Sequence, residues 1–460
     1  MTSTSPEHAS ELEHAIALHR QGSIGEAEPI YRRLRETQPD LTEPWHLSGV
    51  IELQKGNPSA AVPLLRQALA RDDFVSLLNM ARALERMNKL DEAEDCAAKA
   101  LAQQPDLPAA NLFTAKIDYR QKCHQLALDK LNRAIATSTE TAVLTDAHYT
   151  AGLAYDALER PDEAFAAFTQ ANALEREQTL SDGVTPERYR ARIQAAQERL
   201  QNAPTAPVET PDAAQPVFFV GFPRSGTTLL EQMLAAHPGV ITSNEVSPLA
   251  EVARTILQGP PLHTLDAQAL SAHRAQFWAA TQSSVGDVEG RLLIDKMPLN
   301  IEFLDIAARL FPKAKVLMAL RDPRDVCLSC FMQHFERTHA LANFQSLDDT
   351  VELYVSVMDL WRKQRDHLPL AWLEYRYENL VDDMDGTLSA VLNFLNLDWT
   401  DDIRAYREHA QTRHIVTPSY RTVGKQLYSR AAGRWKRYET HLSSANQRLA
   451  SYLQDFGYDQ

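Results

Sequence analysis

Cysteine is scarce in this chain: 4 residues in 460, a density that excludes a disulfide framework. Cys327 and Cys330 have C-x-x-C spacing, but Cys96 and Cys123 lie far away without it. A structural zinc therefore lacks its second ligand pair, and no thioredoxin-like pattern surrounds the first, so these read as ordinary helix cysteines. Long apolar runs are missing as well. Nothing approaches the ~18 residues of a membrane helix, and no membrane span is expected. The segment from Met1 to His8 lacks the basic and apolar regions of a signal peptide, which makes the cytoplasm the expected location. A basic excess is also absent. Acidic residues number 61 against 47 basic, a formal net charge of −14. That disfavours nucleic acid and anionic membrane as partners while leaving room for local anion sites.

What is present is ample core material, 44% hydrophobic residues, in a chain too long for one compact core. Residues 8–199 read as helical, with an internal repeat. Ala27, Ala61, Ala93, Ala127 and Ala164 recur at intervals of 34, 32, 34 and 37 residues. Each is preceded by a small residue (Ala15, Gly49, Ala81, Ala115, Gly152) and followed by Leu34, Ala68, Ala100, Ala134 or Ala171. Small side chains in register let paired helices approach closely. The pattern resembles the tetratricopeptide repeat, a helix hairpin of ~34 residues stacked into a solenoid. The resemblance implies a groove for a protein or peptide partner, or a scaffold serving the rest of the chain. It is also compatible with a homo-oligomer.

Residues 200–216 hold four prolines and little to bury, and are expected to be a linker. From 217 to 460 the periodicity changes. Short apolar runs at 217–220, 239–242, 291–294, 315–320 and 370–374 read as strands, with helical patterns between them. This alternation predicts a central parallel sheet covered on both faces, with a ligand outside the carboxyl ends of its strands.

The second part is organised around Val217–Thr228, an apolar strand running into a loop bounded by Gly221 and Gly226 and then into a helix. Such a unit aims backbone N–H groups and the helix dipole at one point, suited to a phosphate. The glycine spacing is that of a P-loop, but Thr227 stands where a nucleotide triphosphatase has its lysine. A phosphate-containing donor other than ATP is expected, and a kinase or nucleotidase is the weaker alternative. Further polar clusters follow the other strands: Asn244-Glu245, Asp295-Lys296, and Arg321–Asp325 with Ser329. Together they could deprotonate an acceptor, hold a donor and meet charge on a leaving group.

The loop Gly221–Thr228, with Arg321–Asp325 and Ser329, resembles the sulfotransferases that use 3′-phosphoadenosine 5′-phosphosulfate. The continuation from Leu229 to Glu245 is similar to tyrosylprotein sulfotransferases, and the repeats in front resemble bacterial tetratricopeptide-repeat sulfotransferases. The resemblance implies an α/β P-loop-like sulfotransferase domain behind an all-α solenoid. Arg224, Ser225, Gly226, Thr227 and Thr228 would bind the 5′-phosphosulfate; Arg321 and Ser329 would hold the 3′-phosphate. Tyr377 would lie at the nucleotide, and Lys425 and Arg434 belong to stretches that would fold over it. Glu245 would be the general base and Lys296 the catalytic lysine, transferring a sulfuryl group to a carbohydrate, peptide tyrosine or small-molecule hydroxyl without a metal.

Each residue has a plainer reading. Glu245 could cap the helix starting near Pro248, Lys296 could be a surface lysine, and Arg321 could pair with Asp322 or Asp325. His237 is a rival base, but its place at the end of the loop helix suits it to capping carbonyls. Tyrosylprotein sulfotransferases carry arginines just beyond the base; here the run Val246–Glu251 has none, which counts against an acidic tyrosine peptide as acceptor. The non-enzymatic alternative is a repeat-based adaptor whose nucleotide-binding domain is inactive.

Overall fold

The structure, a computed structural model, describes residues 6–69, 74–203, 214–243, 245–288, 290–406 and 432–458. It divides into two compact units, Met1–Leu174 and Glu175–Gln460. No helix among the described residues is long and apolar enough to cross a membrane.

The first unit is a run of helix pairs: α1 (Pro6–Arg20) with α2 (Ile24–Thr37), and α3 (Thr42–Gln54) with α4 (Pro58–Ala68). Next come α5 (Phe74–Arg86) with α6 (Leu90–Gln103), α7 (Pro108–Arg120) with α8 (His124–Thr137), and α9 (Thr141–Ala157) with the start of α10 (Pro161–Ser181). The small-residue columns lie where the paired helices touch. Ala27, Ala61, Ala93, Ala127 and Ala164 are all fully buried. A Cβ at Gly49 would sit 2.6 Å from Leu65 Cγ, and one at Gly152 would sit 2.7 Å from Phe168 Cε1. A larger residue at either place would push the helices apart. The repeat is thus a packing requirement written at a few fixed positions per hairpin.

The second unit begins within α10, includes α11 (Pro186–Gln201), and then builds the sheet. The division falls ahead of the proline-rich stretch expected to be the linker, of which residues 204–213 lie outside the described residues. The reason is a set of long-range contacts. Arg199 of α11 donates to Asp305, Arg192 to Glu302 and Arg190 to Asp349, while Tyr189, Ile193 and Leu200 are buried.

The five strands are β1 (Val217–Gly221), β2 (Val240–Thr242), β3 (Leu292–Lys296), β4 (Lys315–Leu320) and β5 (Ala371–Arg376). All pair in parallel, in the order β2-β3-β1-β4-β5. Between them run α12 (Thr227–Ala235), α13 (Pro248–Leu257), α14 (Ala267–Val285), α15 (Leu304–Leu310), α16 (Pro323–Phe331) and α17 (Leu347–His367). After β5 come α18 (Tyr377–Asp382), α19 (Met384–Leu395) and, near the C-terminus, α20 (Ser443–Asp455). β1 is apolar throughout and wholly buried because both its faces are covered. Phe219 packs with Leu230, Met233 and Leu392 in one core, and Phe218 packs edge-on to Phe277 and beside Phe311 on the other side. Pairing of Phe219 with Lys296 and of Gly221 with Ala319 brings the carboxyl ends of β3, β1 and β4 into line.

Candidate functional site

The loop between β1 and α12 turns through two left-handed residues, Arg224 (φ 71°) and Gly226 (φ 87°). Such a conformation favours glycine, and a non-glycine residue there needs outside support. Arg224 has it. Its carbonyl accepts from Arg321 Nη1 at 3.1 Å, and its own Nε donates to Ser329 Oγ at 3.2 Å. Gly226 is doubly constrained, because a Cβ there would collide with the ring of Tyr377. Ser225, Thr227 and Thr228 are buried, the two threonines opening α12 directly behind the loop.

Positive charge gathers around this cradle. Burial is the main reason Arg224 is held below the usual guanidinium range, and the charges of Arg321 and Arg434 push it the same way. Arg321 and Arg434 thus both lie within electrostatic reach of Arg224, an arrangement suited to an anion. Arg321 also lies over the ring of Tyr377, 5.0 Å from its centroid. Asp322 does not hold Arg321: it forms two bonds with Arg324, at 3.0 and 2.7 Å. Asp325 approaches Arg321 Nη2 only to 3.9 Å.

Asp325 has another task. Its carboxylate accepts the backbone N–H of Gly433 at 2.6 Å and of Trp435 at 2.8 Å, while Arg324 stacks 3.5 Å from the Trp435 ring centroid. Burial lifts its carboxyl to about 6, against the pull of Arg321 and of these two N–H groups. The 434–441 segment, and with it Arg434, is thereby fastened to the start of α16. Lys425 and the rest of the stretch Ser419–Lys425 lie outside the described residues.

The second group of side chains surrounds the end of β3. Lys296 is fully buried, not a surface lysine. Its Nζ stands 2.6 Å from Glu245 Oε1 and 2.9 Å from Glu231 Oε2. Glu245 keeps a third of its side chain exposed, whereas Glu231, on the second turn of α12, is fully buried. Burial raises the Glu231 carboxyl, opposed chiefly by the ammonium of Lys296 and also by the Thr242 hydroxyl. Glu245 does not cap α13. Ser247 does, its hydroxyl accepting from Ala250 N at 3.1 Å. The Glu245 backbone is itself left-handed (φ 67°), and its N–H donates to Lys296 O at 3.2 Å. Beneath, Asp295 accepts from Ser243 Oγ and Leu249 N, and burial pushes its carboxyl up to about 7.

His237 points elsewhere. Its Nδ1 accepts from Gly239 N at 2.9 Å and its Nε2 donates to Asp398 O at 3.0 Å, which occupies both ring nitrogens of a neutral imidazole. Cys327 and Cys330 are buried thiols of α16, both raised by burial, and Cys330 Sγ donates to Pro223 O. Among the expected site residues, Arg224 to Thr228, Arg321, Ser329, Tyr377 and Arg434 surround the loop; Glu245 and Lys296 pair with each other. Two participants were not assigned from the sequence: Glu231 and the anchoring role of Asp325. The available signal for Glu231 was a charged residue inside the apolar run Leu229–Leu234.

Comparison with known proteins places this arrangement in a class. Residues 216–401 match the model of the sulfotransferase family, and residues 12–76, 52–117 and 145–178 match tetratricopeptide-repeat models. The chain combines tetratricopeptide repeats with a sulfotransferase-family domain built on a central parallel sheet. An uncharacterized protein of Aquifex aeolicus (strain VF5) is 24% identical over 437 residues, covering 89% of this chain and 54% of the relative. Protein-tyrosine sulfotransferase 2 of Gallus gallus is 27% identical over 209 residues, covering 42% of this chain and 54% of the relative. The chain spans about half the length of these curated relatives. Among solved structures, the sulfotransferase domain of the Synechococcus PCC 7002 olefin synthase aligns with 22% identity and a TM-score of 0.35, covering 55% of this chain and 98% of that one.

Proposed function

We propose that the second unit transfers a sulfuryl group from 3′-phosphoadenosine 5′-phosphosulfate to an acceptor hydroxyl. The observation that carries this reading is the convergence of Arg224, Arg321 and Arg434 on a glycine-bounded cradle, beside a buried lysine bridging two carboxylates. The cradle amides, Ser225, Thr227 and Thr228 hold the 5′-phosphosulfate, and Arg321 with Ser329 holds the 3′-phosphate. The donor supplies the activated sulfuryl group. Glu245 takes the acceptor proton as the acceptor oxygen bonds to sulfur. Lys296 meets the electron pair left on the bridging oxygen when the sulfur–oxygen bond breaks, giving adenosine 3′,5′-bisphosphate. Positioning and electrostatics do most of the work, as in phosphoryl transfer.

The acceptor is a hydroxyl of a carbohydrate, a tyrosine peptide or a small molecule. The repeats offer a protein or peptide partner a cavity of about 780 Å3, lined in part by His19, Tyr31, His46 and Leu47.

The test combines two variants, with bisphosphate binding and turnover both measured. Glu245→Gln is expected to keep adenosine 3′,5′-bisphosphate affinity within about twofold while abolishing transfer, because it removes the base and leaves the anion cradle. Arg321→Ala is expected to weaken the bisphosphate about 10-fold or more relative to adenosine 5′-phosphate, since a charge-assisted bond is lost to one ligand alone. Equal weakening for both nucleotides, or full turnover by Glu245→Gln, would sink the assignment.

A further inference from the structure

Lys296 is enclosed without water contact and yet carries two carboxylates, at 2.9 Å (Glu231) and 2.6 Å (Glu245). The two are not equivalent. Glu245 is partly open to solvent and sits on the loop after β2, where an acceptor can reach it. Glu231 is sealed inside α12, five residues past Gly226, and cannot touch an acceptor. A charged lysine needs one counterion at this depth, not two, because each buried carboxylate costs desolvation. The second one requires a reason. Charge balance through the reaction supplies it. When Glu245 gains the acceptor proton it becomes neutral and ceases to balance Lys296. A buried ammonium left with no counterion would be strongly destabilised at the moment when the bridging oxygen needs a cation.

We propose that Glu231 is a positioning residue that remains as the buried counterion of Lys296 and keeps it aimed at the bridging oxygen once Glu245 has accepted the acceptor proton. The inference rests on the sulfuryl-transfer reading of the site. Glu231 sits on the same helix whose N-terminus backs the loop, so one rigid element sets both the anion cradle and the lysine. The nearby Thr242, at the end of β2, also favours the ionised form of the Glu231 carboxyl. Glu231 makes no contact with the reacting atoms. It acts through Lys296.

The decisive experiment is a double-mutant cycle on the full chain with Glu231→Gln, Lys296→Met and both together. Turnover, donor KM, bisphosphate affinity and thermal unfolding are read for each. Glu231→Gln is expected to lower kcat about 10²-fold, the loss typical of a displaced catalytic group, with donor KM and bisphosphate affinity within about twofold. On the Lys296→Met background it should cost no further turnover. It should also recover part of the unfolding temperature that Lys296→Met loses, since it removes the stranded carboxylate. Glu231→Asp should restore part of kcat. A structural role would instead move the unfolding temperature and bisphosphate affinity together and act equally on both backgrounds; that additive result, or an unchanged kcat, overturns the proposal. Wild-type protein that binds the bisphosphate but transfers no sulfuryl group overturns the underlying reading instead.

Discussion

At the scale of single residues, this site shows how burial and polarity are set against each other. Asp295 lies near the end of β3 with no exposed surface, and its carboxyl sits at about 7 instead of the ordinary 3.8. The folded state therefore holds a proton there that the unfolded chain releases. The stabilisation is complete below about pH 4 and disappears as pH rises through about 7. Asp295→Asn fixes a neutral side chain that still accepts a hydrogen bond. Relative to wild type, its unfolding temperature should improve steadily between pH 4.5 and 7.5, as scanning calorimetry at several pH values would reveal. A difference independent of pH would mean that Asp295 is ionised throughout. The placement of several of these side chains was legible beforehand. The cradle announces itself through two glycines and a run of hydroxyls, and Lys296 through its place after an apolar strand. Glu231 was not legible: its fourfold company of leucine and methionine makes it look like a polar interruption of an amphipathic helix. Only the turn of α12 toward β3 reveals its partner.

At the scale of elements, the short helical segment 434–441 is held by one carboxylate and one stacked pair. Asp325 sits in the first turn of α16 and, unlike Asp322, does not cap its own helix. It reaches across to backbone N–H groups that only the chain's C-terminal part can offer. Asp325→Ala deletes both acceptors and releases Gly433 and Trp435, so Arg434 loses its fixed position. Adenosine 3′,5′-bisphosphate affinity should fall about 10-fold, consistent with two charge-assisted hydrogen bonds lost. Isothermal titration would measure this, and unchanged affinity would show that Arg434 does not depend on the anchor. Strand and helix positions were readable with ends within a few residues, because the strands are continuous apolar runs and the hairpins carry small residues in columns. The anchor was not, since nothing local to Arg321–Asp325 indicates a partner more than a hundred residues away.

At the scale of the molecule, the boundary between units follows attachments, not composition. Proline-rich sequence suggested a break at 200–216, but α11 contributes buried Tyr189, Ile193 and Leu200 and the counterions of Glu302 and Asp305 to the second unit. Both carboxyls are raised by burial, Glu302 to about 7, and their arginines oppose the shift. Removing α11 strands them, at about 3 kcal/mol or more for each broken pair. Protein beginning at residue 216 is therefore expected to aggregate on expression, while protein beginning at residue 175 stays soluble and binds the bisphosphate. Equal solubility of the two would return the boundary to the proline-rich stretch.

The strand order has a consequence for synthesis. β1 leaves the ribosome first among the five strands but ends in the middle of the sheet, between β3 and β4. Its wholly apolar sequence must wait, unpaired, for neighbours translated much later, and neither wait can be shortened by a hairpin. The nascent second unit thus exposes its most aggregation-prone segment longest, which makes it a natural client for chaperones that shield apolar strands.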